Sequence, residues 1–367
     1  MRTISHFING QSVTRAGAVT SPVYDPSTGE VQARLEHGDA AILAEAVAVA
    51  KAAQPAWAAI NPRHRARVMF RFKALIEEHL QELAQLMSSE HGKLLDNSMG
   101  ELERGLEVVE FICGAPHLQK GEFTQGAGPG TNVYSIREPL GVAGITPFNF
   151  PALIPIWMLA PSIAVGNAFI LKPPDRTPSA AVRLAELALE AGVPPGIFNI
   201  VQGGKEVGEA ITDHPDIKAV SFVGSTSVAK SVYARGAANG KRMQCMGGAK
   251  NHGVILPDAD LDQVVAATLA GAFGSAGERC MGMPVIVPVG QKTAEAVRER
   301  LLQAIPKLRV GVAGDPARKW VRSSPPNTRR RSRPISGWLS TRAPSWSSTS
   351  GAGACRAMRR GFSCGRP

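Results

Sequence analysis

Between residues 141 and 256, short apolar runs alternate with longer amphipathic ones, and no other feature of this chain restricts its fold so tightly. The runs at about 141–146, 168–171, 197–201, 219–223 and 254–256 have the length and composition of buried strands. The segments 152–165, 179–191, 205–213 and 227–238 instead carry apolar residues at helical spacing. Strands separated by helices pair in parallel, because each crossover returns the chain to the same end of the sheet. The expected class is therefore α/β, a parallel sheet with helices on both faces and binding crevices at the carboxyl ends of its strands.

The flanking regions read differently. Residues 5–10 suggest a short strand, 25–30 a turn, and the stretch from Asp39 through Ala56 a helix. A long amphipathic helix is expected over 62–91 and another over 98–115, the latter with Leu102, Leu106, Val109 and Ile112 on one stripe and Arg104 off it. Gly-rich residues 121–130 predict a loop, and 132–137 an exposed strand. Residues 244–252 look like a Gly-rich hinge, after which a helix at 261–273, a strand at 285–289 and a helix at 293–305 form a second α/β unit. The expected organisation is a first domain over 1–246, containing a loop and oligomerisation strand at 121–140, the beginning of a second over 247–320, and a tail over 321–367.

A net charge of +11 suggests nucleic acid until it is located. From residue 321 onward there are ten arginines and no Lys, Asp or Glu, which leaves +1 for residues 1–320. The body is electrostatically ordinary, and no specific nucleic-acid partner is expected. The tail, rich in Arg, Ser and Pro without periodicity, reads as a gene translated out of frame in preference to a natural disordered basic tail. Five cysteines, an odd number without metal-ligand spacing, argue against a disulfide framework and a zinc site and favour a reducing cytoplasm. No apolar run reaches the length of a membrane span, and the start lacks a signal-peptide core.

The candidate chemistry lies at strand ends. The first strand runs into Pro147-Phe148-Asn149-Phe150-Pro151, the second into Lys172-Pro173-Pro174-Asp175-Arg176, and the fourth into Gly224-Ser225-Thr226. A helix opening at a Gly-Ser turn offers free N–H groups and a positive dipole end to a pyrophosphate, and Lys172 and Asp175 can reach ribose hydroxyls. Gly-Ser is equally a common helix cap and Lys-Pro a common strand exit, and the usual Gly-x-Gly-x-x-Gly fingerprint is absent. Further on, Cys280 follows a Gly/Ala-rich segment, Gly271 to Gly277, and stands beside Arg279. An adjacent guanidinium favours the reactive thiolate, so Cys280 is a candidate nucleophile; the alternative is an inert, buried cysteine.

Phe148-Asn149-Phe150-Pro151, Leu171-Lys172-Pro173, Phe222-Val223-Gly224-Ser225, Gly247-Gly248-Ala249-Lys250-Asn251 and Gly277-Glu278-Arg279-Cys280 follow one another as they do in the NAD(P)-dependent aldehyde dehydrogenase superfamily. Over residues 1–320 the chain resembles that superfamily, and Ala249-Lys250-Asn251-His252-Gly253 with Gly277-Glu278-Arg279-Cys280-Met281 resembles its CoA-acylating methylmalonate-semialdehyde branch. The resemblance implies a parallel-sheet NAD-binding domain and a second α/β catalytic domain. It makes Cys280 the nucleophile, with Asn149 and the Cys280 N–H holding the oxyanion. It assigns the cofactor to Thr146, Phe148, Lys172, Asp175, Arg176, Gly224 and Ser225, and the acidic Asp175 implies NAD in preference to NADP. It gives the substrate carboxylate to Arg104 and Arg279, and it implies a homo-oligomer, dimer or tetramer, handling a small semialdehyde.

One departure is informative. Hydrolytic members carry a glutamate where this chain has Met246, and a thioether accepts no proton to activate water. A CoA thiol ionises more readily than water, so acyl transfer to coenzyme A is favoured, with loss of CO2 to give propionyl-CoA or acetyl-CoA. Two alternatives stay open: a hydrolytic dehydrogenase that releases free acid, and an inactive binding remnant. The second arises because the superfamily continues well past residue 320, where it supplies a Glu-Phe-Gly-Pro loop for the nicotinamide ribose and a strand completing the oligomer hairpin.

Overall fold

The computed structural model describes residues 1–311 and 320–321, so the expectations for the tail fall outside the described residues, Val321 excepted. Strands β1 (Arg2–Ile4), β2 (His6–Ile8), β3 (Gln11–Val13), β4 (Thr20–Tyr24) and β5 (Val31–Glu36) open the chain. Helices α1 (Ala40–Ala59), α2 (Pro62–Glu78), α3 (Leu80–His91), α4 (Leu95–Ile112) and α5 (Ala115–Leu118) follow, then strands β6 (Phe123–Gly128) and β7 (Thr131–Tyr134). The alternating part is β8 (Val142–Ile145), α6 (Leu153–Ala164), β9 (Phe169–Lys172), α7 (Ser179–Ala191), β10 (Phe198–Ile200), α8 (Lys205–Asp213), β11 (Ala219–Val223), α9 (Thr226–Ala238) and β12 (Arg242–Met246). Last come β13 (His252–Ile255), α10 (Leu261–Phe273), β14 (Val285–Pro288), α11 (Gln291–Ala304), β15 (Val310–Gly311) and β16 (Trp320–Val321).

Four corrections to the sequence expectations have physical causes. The long helix expected over 62–91 is two helices, broken at His79, whose backbone leaves the helical region at ψ 17 without any Pro or Gly to announce it. Residues 121–130 contain a strand, because β6 pairs antiparallel with β7 and backbone bonds need no apolar pattern. Gln244, Cys245 and Met246 belong to β12, which pairs parallel with β11 at the sheet edge, so the hinge is shorter than expected. The strand near 254 leaves the main sheet altogether and pairs with β14.

The chain divides into two units. The first comprises Met1–Val23, Gln32–Met87 and Met99–Gly247; the second comprises Tyr24–Val31, Ser88–Ser98 and the described residues from Gly248 on. In the first, seven strands form one sheet in the order β12-β11-β8-β9-β10-β2-β3, parallel except where β2 and β3 add antiparallel at the end. Ile156, Leu159, Phe169, Leu171, Leu184 and Ile200 are wholly buried between sheet and helices. From β8 the chain steps outward through β9 and β10, then returns through α8 to the opposite side of β8. The order therefore reverses between β8 and β11, the place where such sheets open a crevice at their carboxyl ends.

In the second unit, β13 and β14 pair in parallel, and Ala272, Phe273 and Ile305 form a small core with Leu269, Leu301 and Leu308. Asp260 caps α10, its carboxylate accepting from the Asp262 and Gln263 N–H groups. Among the described residues, no helix is long and apolar enough to cross a membrane.

Candidate active site

In the first unit, the carboxyl ends of β8, β9, β11 and β12 bring together Thr146, Phe148, Lys172, Asp175, Arg176, Gly224 and Ser225. The turns after β8 and β9 are stitched to each other: the Thr146 N–H donates to the Lys172 carbonyl at 3.2 Å, and Thr177 Oγ1 donates to the Phe148 carbonyl at 3.2 Å. The Arg176 guanidinium lies over the Phe148 ring, 5.0 Å from its centroid. Lys172 is buried, and its Nζ donates to the Pro173 carbonyl at 2.6 Å and to Asp175 Oδ1 at 3.1 Å. Burial pushes the Lys172 ammonium below its ordinary range, and Asp175 pulls it partly back.

Thr146 Oγ1 is enclosed and has no hydrogen-bond partner among the described residues. Gly224 donates its N–H to the Met246 carbonyl at 3.1 Å, which ties the start of α9 to the end of β12. Ser225 occupies the N-cap of α9 with extended backbone and makes no side-chain capping bond. A buried hydroxyl and a helix start without a side-chain cap, both at the topological switch point, are the features that suit a polar, anionic ligand. Met246 ends β12 and is 44% exposed, and the position reached by that strand offers a thioether and no acid.

Asn149 is half-buried in the turn between β8 and α6. Glu101, on α4, holds that turn: its buried Oε1 accepts from the Ala152 N–H at 2.9 Å and the Leu153 N–H at 3.0 Å, supplying the cap that Ala152 cannot. Sequence reasoning passed over Glu101; the available signal was a carboxylate one position from Leu102, on a face that is otherwise apolar. Arg104, on the same helix, is exposed.

Cys280 lies in the second unit and is exposed. The chain reaches it through three consecutive left-handed residues, Ser275 at φ 49, Ala276 at φ 54 and Gly277 at φ 79. Only glycine adopts this conformation without penalty, so Ser275 and Ala276 each store roughly 1 kcal/mol or more. Asn251 offsets part of that strain, its Nδ2 donating to the Cys280 carbonyl at 3.0 Å and the Gly282 carbonyl at 2.7 Å. The Arg279 guanidinium donates to Asn97 Oδ1 at 3.2 Å and packs on Gly274, where an added methyl would meet Cζ at 2.9 Å. Glu278 faces buried His91, with Oε2 3.6 Å from Nε2. Burial, with the Lys93 charge adding to it, pushes the His91 imidazolium well down, so the ring is neutral. Asn97 and His91 carry no local signal in the sequence, and Asn251 entered only as a member of the Gly247–Asn251 motif, with no role attached to it.

The strand-end residues and Asn149 thus belong to the first unit, as does Arg104, whereas Cys280 and Arg279 belong to the second.

The profile of the aldehyde dehydrogenase family matches residues 13–339. The chain belongs to the aldehyde dehydrogenase family. That match runs past residue 320, where the composition of the chain changes. A malonate-semialdehyde dehydrogenase of Pseudomonas aeruginosa is 47% identical over 312 residues, covering 85% of this chain and 63% of that protein. Malonate-semialdehyde dehydrogenase 3 of Geobacillus kaustophilus is 48% identical over 311 residues, 84% of this chain and 64% of its own length. The chain therefore spans less than two thirds of these relatives. Among solved structures, a methylmalonate-semialdehyde dehydrogenase of Oceanimonas doudoroffii superposes with a TM-score of 0.89 at 45% identity, covering 93% of this chain and 69% of that one. A Sinorhizobium meliloti protein assigned to the same activity and solved with NAD gives 0.91 at 51% identity, covering 94% and 70%.

Proposed function

We propose that this aldehyde dehydrogenase chain carries the parts of an NAD-dependent, CoA-acylating dehydrogenase for malonate or methylmalonate semialdehyde. The observation that carries the CoA step is Met246: the end of β12 presents a thioether where a hydrolase needs a base. The names and identities of the relatives support the semialdehyde class, and the relative solved with NAD supports the cofactor.

Lys172 and Asp175 hold the cofactor's ribose, and the α9 N-terminus at Gly224 and Ser225 its pyrophosphate, with Thr146, Phe148 and Arg176 around them. The buried Thr146 hydroxyl and the missing side-chain cap of α9 fit such a ligand. The negative charge of Asp175 disfavours a 2'-phosphate, hence NAD. When bound, NAD supplies the acceptor for hydride. Cys280 Sγ attacks the aldehyde carbon, and the Asn149 amide with the Cys280 N–H stabilises the oxyanion, each donor contributing about 2.7 to 4 kcal/mol. Collapse of the thiohemiacetal expels hydride and leaves a Cys280 thioester. Arg104 and Arg279 hold the substrate carboxylate, which leaves as CO2 while its C–C bonding pair passes into the thioester enolate; the enolate takes a proton from solvent, and the CoA thiol then takes the acyl group and releases the Cys280 thiolate. The exposed β6–β7 hairpin, bearing Phe123, Val133 and Tyr134, is the surface for a dimer or tetramer. An odd number of cysteines without metal-ligand spacing supports a reducing cytoplasm.

The test is product analysis of this chain with malonate semialdehyde and NAD, with and without CoA. Acetyl-CoA appearing with NADH only when CoA is present supports the assignment. Free acid at an unchanged rate in both reactions refutes the CoA step.

A further inference from the structure

One buried group in the first unit has no role in the chemistry above. His6 sits on β2, 1% exposed, beside the carboxyl end of β10, where Ile200 pairs with Phe7. Its Nδ1 accepts from the Gln202 N–H at 3.0 Å. An imidazole nitrogen that accepts is unprotonated, so the neutral ring carries its proton on Nε2, which faces Glu36 Oε1 at 3.8 Å. The Gln202 carbonyl is also held, accepting from the Gly38 N–H at 2.9 Å. The buried Gln202 side-chain amide finds no hydrogen-bond partner among the described residues, so the backbone alone is gripped.

The gripped residue begins the β10–α8 turn. Gly203 follows at φ 143, where a side chain would strike Val207 at 2.6 Å, and a methyl placed on Gly204 would lie 3.7 Å from Asp175 Oδ2. The turn gripped at Gln202 thus borders the carboxylate that pairs with Lys172. Gly38 leaves no slack at the grip, since a methyl there would meet His6 Cε1 at 2.8 Å and the Gln202 carbonyl oxygen at 3.0 Å.

We propose that His6 is a positioning residue for the cofactor: its Nδ1 fixes the β10–α8 turn, which sets where Asp175 meets the ribose. This rests on assigning the strand ends to NAD. The imidazole acts only as an acceptor here, so an asparagine, whose Oδ1 takes the place of Nδ1, retains the function. A leucine of similar bulk leaves the Gln202 N–H unpaired in the interior.

NAD binding to the full chain, titrated by calorimetry, tests this. Kd is expected to rise about tenfold in His6→Leu, where the released turn must be ordered again on binding, and to stay within about twofold of the parent in His6→Asn. Gly38→Ala, which drives a methyl into the same grip, is expected to weaken NAD comparably and serves if His6→Leu does not fold. Parent-like binding by folded His6→Leu or Gly38→Ala overturns the proposal, as does equal weakening by His6→Leu and His6→Asn, which would mean the ring acts by bulk. A parent chain that binds no NAD overturns the cofactor assignment itself, and this inference with it.

Discussion

The strand-end crevice of the first unit and the cysteine turn of the second solve opposite problems. In the crevice, buried and half-buried groups are cross-linked by hydrogen bonds: Lys172 Nζ to Asp175, the Thr146 N–H to the Lys172 carbonyl, Thr177 Oγ1 to the Phe148 carbonyl. Around Cys280 the side chain is exposed and the backbone strained, with Ser275 and Ala276 in left-handed conformation and Asn251 as a clasp. A ligand held by many polar groups needs those groups preorganised, because ordering them on binding would consume the affinity. A nucleophile needs access above all, and a sharp turn presents one side chain at the cost of local strain.

The contrast can be broken experimentally, and the largest effect should come from the thiol. Cys280→Ser is expected to lower NADH formation by more than about a thousandfold while NAD titrates with the parent Kd, since a hydroxyl is a far weaker nucleophile than a thiolate. Loss of NAD binding in that variant would mean that the two regions are not separable. Next is the acid sensitivity of the crevice side. Burial, with Arg15 and His37 against the opposing pull of Asp39, lowers the His6 pKa to about 4 from 6.5. The unfolded chain therefore binds more protons than the folded one in that window. The His6 contribution is complete above about pH 6.5, is lost as pH falls, and is gone below about 4, a span worth about 3 kcal/mol. Urea midpoints measured across this range should fall more steeply for the parent than for His6→Asn. Buried His91 shifts in the same direction and cancels in that difference.

A smaller effect is expected at Lys172. Lys172→Met keeps the bulk but removes a charged donor, and NAD affinity should fall roughly tenfold to a hundredfold, as for hydrogen bonds to charged groups. The mildest test reports on the strained turn: Ser275→Gly should raise unfolding stability by up to about 1 kcal/mol, because glycine occupies φ 49 without the steric penalty. A lower thermal midpoint for that variant would show that the turn is not strained at Ser275.

Legibility followed the same divide. The parallel order of β8 to β11 can be read from the chain because buried strands on both faces write themselves as unbroken apolar runs, and so Thr146, Lys172 and Gly224 could be placed at strand ends. Elements without a buried face left no such trace. Strand β12 alternates exposed and half-buried residues at the sheet edge, so its last three residues passed for part of a hinge. Strand β6 is almost wholly exposed and passed for a loop. The supports of the candidate site were hidden for another reason: Glu101 acts on residues 152 and 153, Asn97 on 279, Asn251 on 280 and 282, and His6 on 202.

From the order of its residues alone, this chain determined an α/β sheet, the positions that end its strands, a cysteine among small neighbours and the absence of an acid at position 246. Periodicity and composition are local properties, and they suffice for that much. Only the tertiary structure decided which backbone groups are gripped and by what, as when an imidazole at residue 6 takes the N–H of residue 202. Such pairings depend on how the sheet brings distant segments side by side, and a buried polar atom accepts whatever partner the packing delivers.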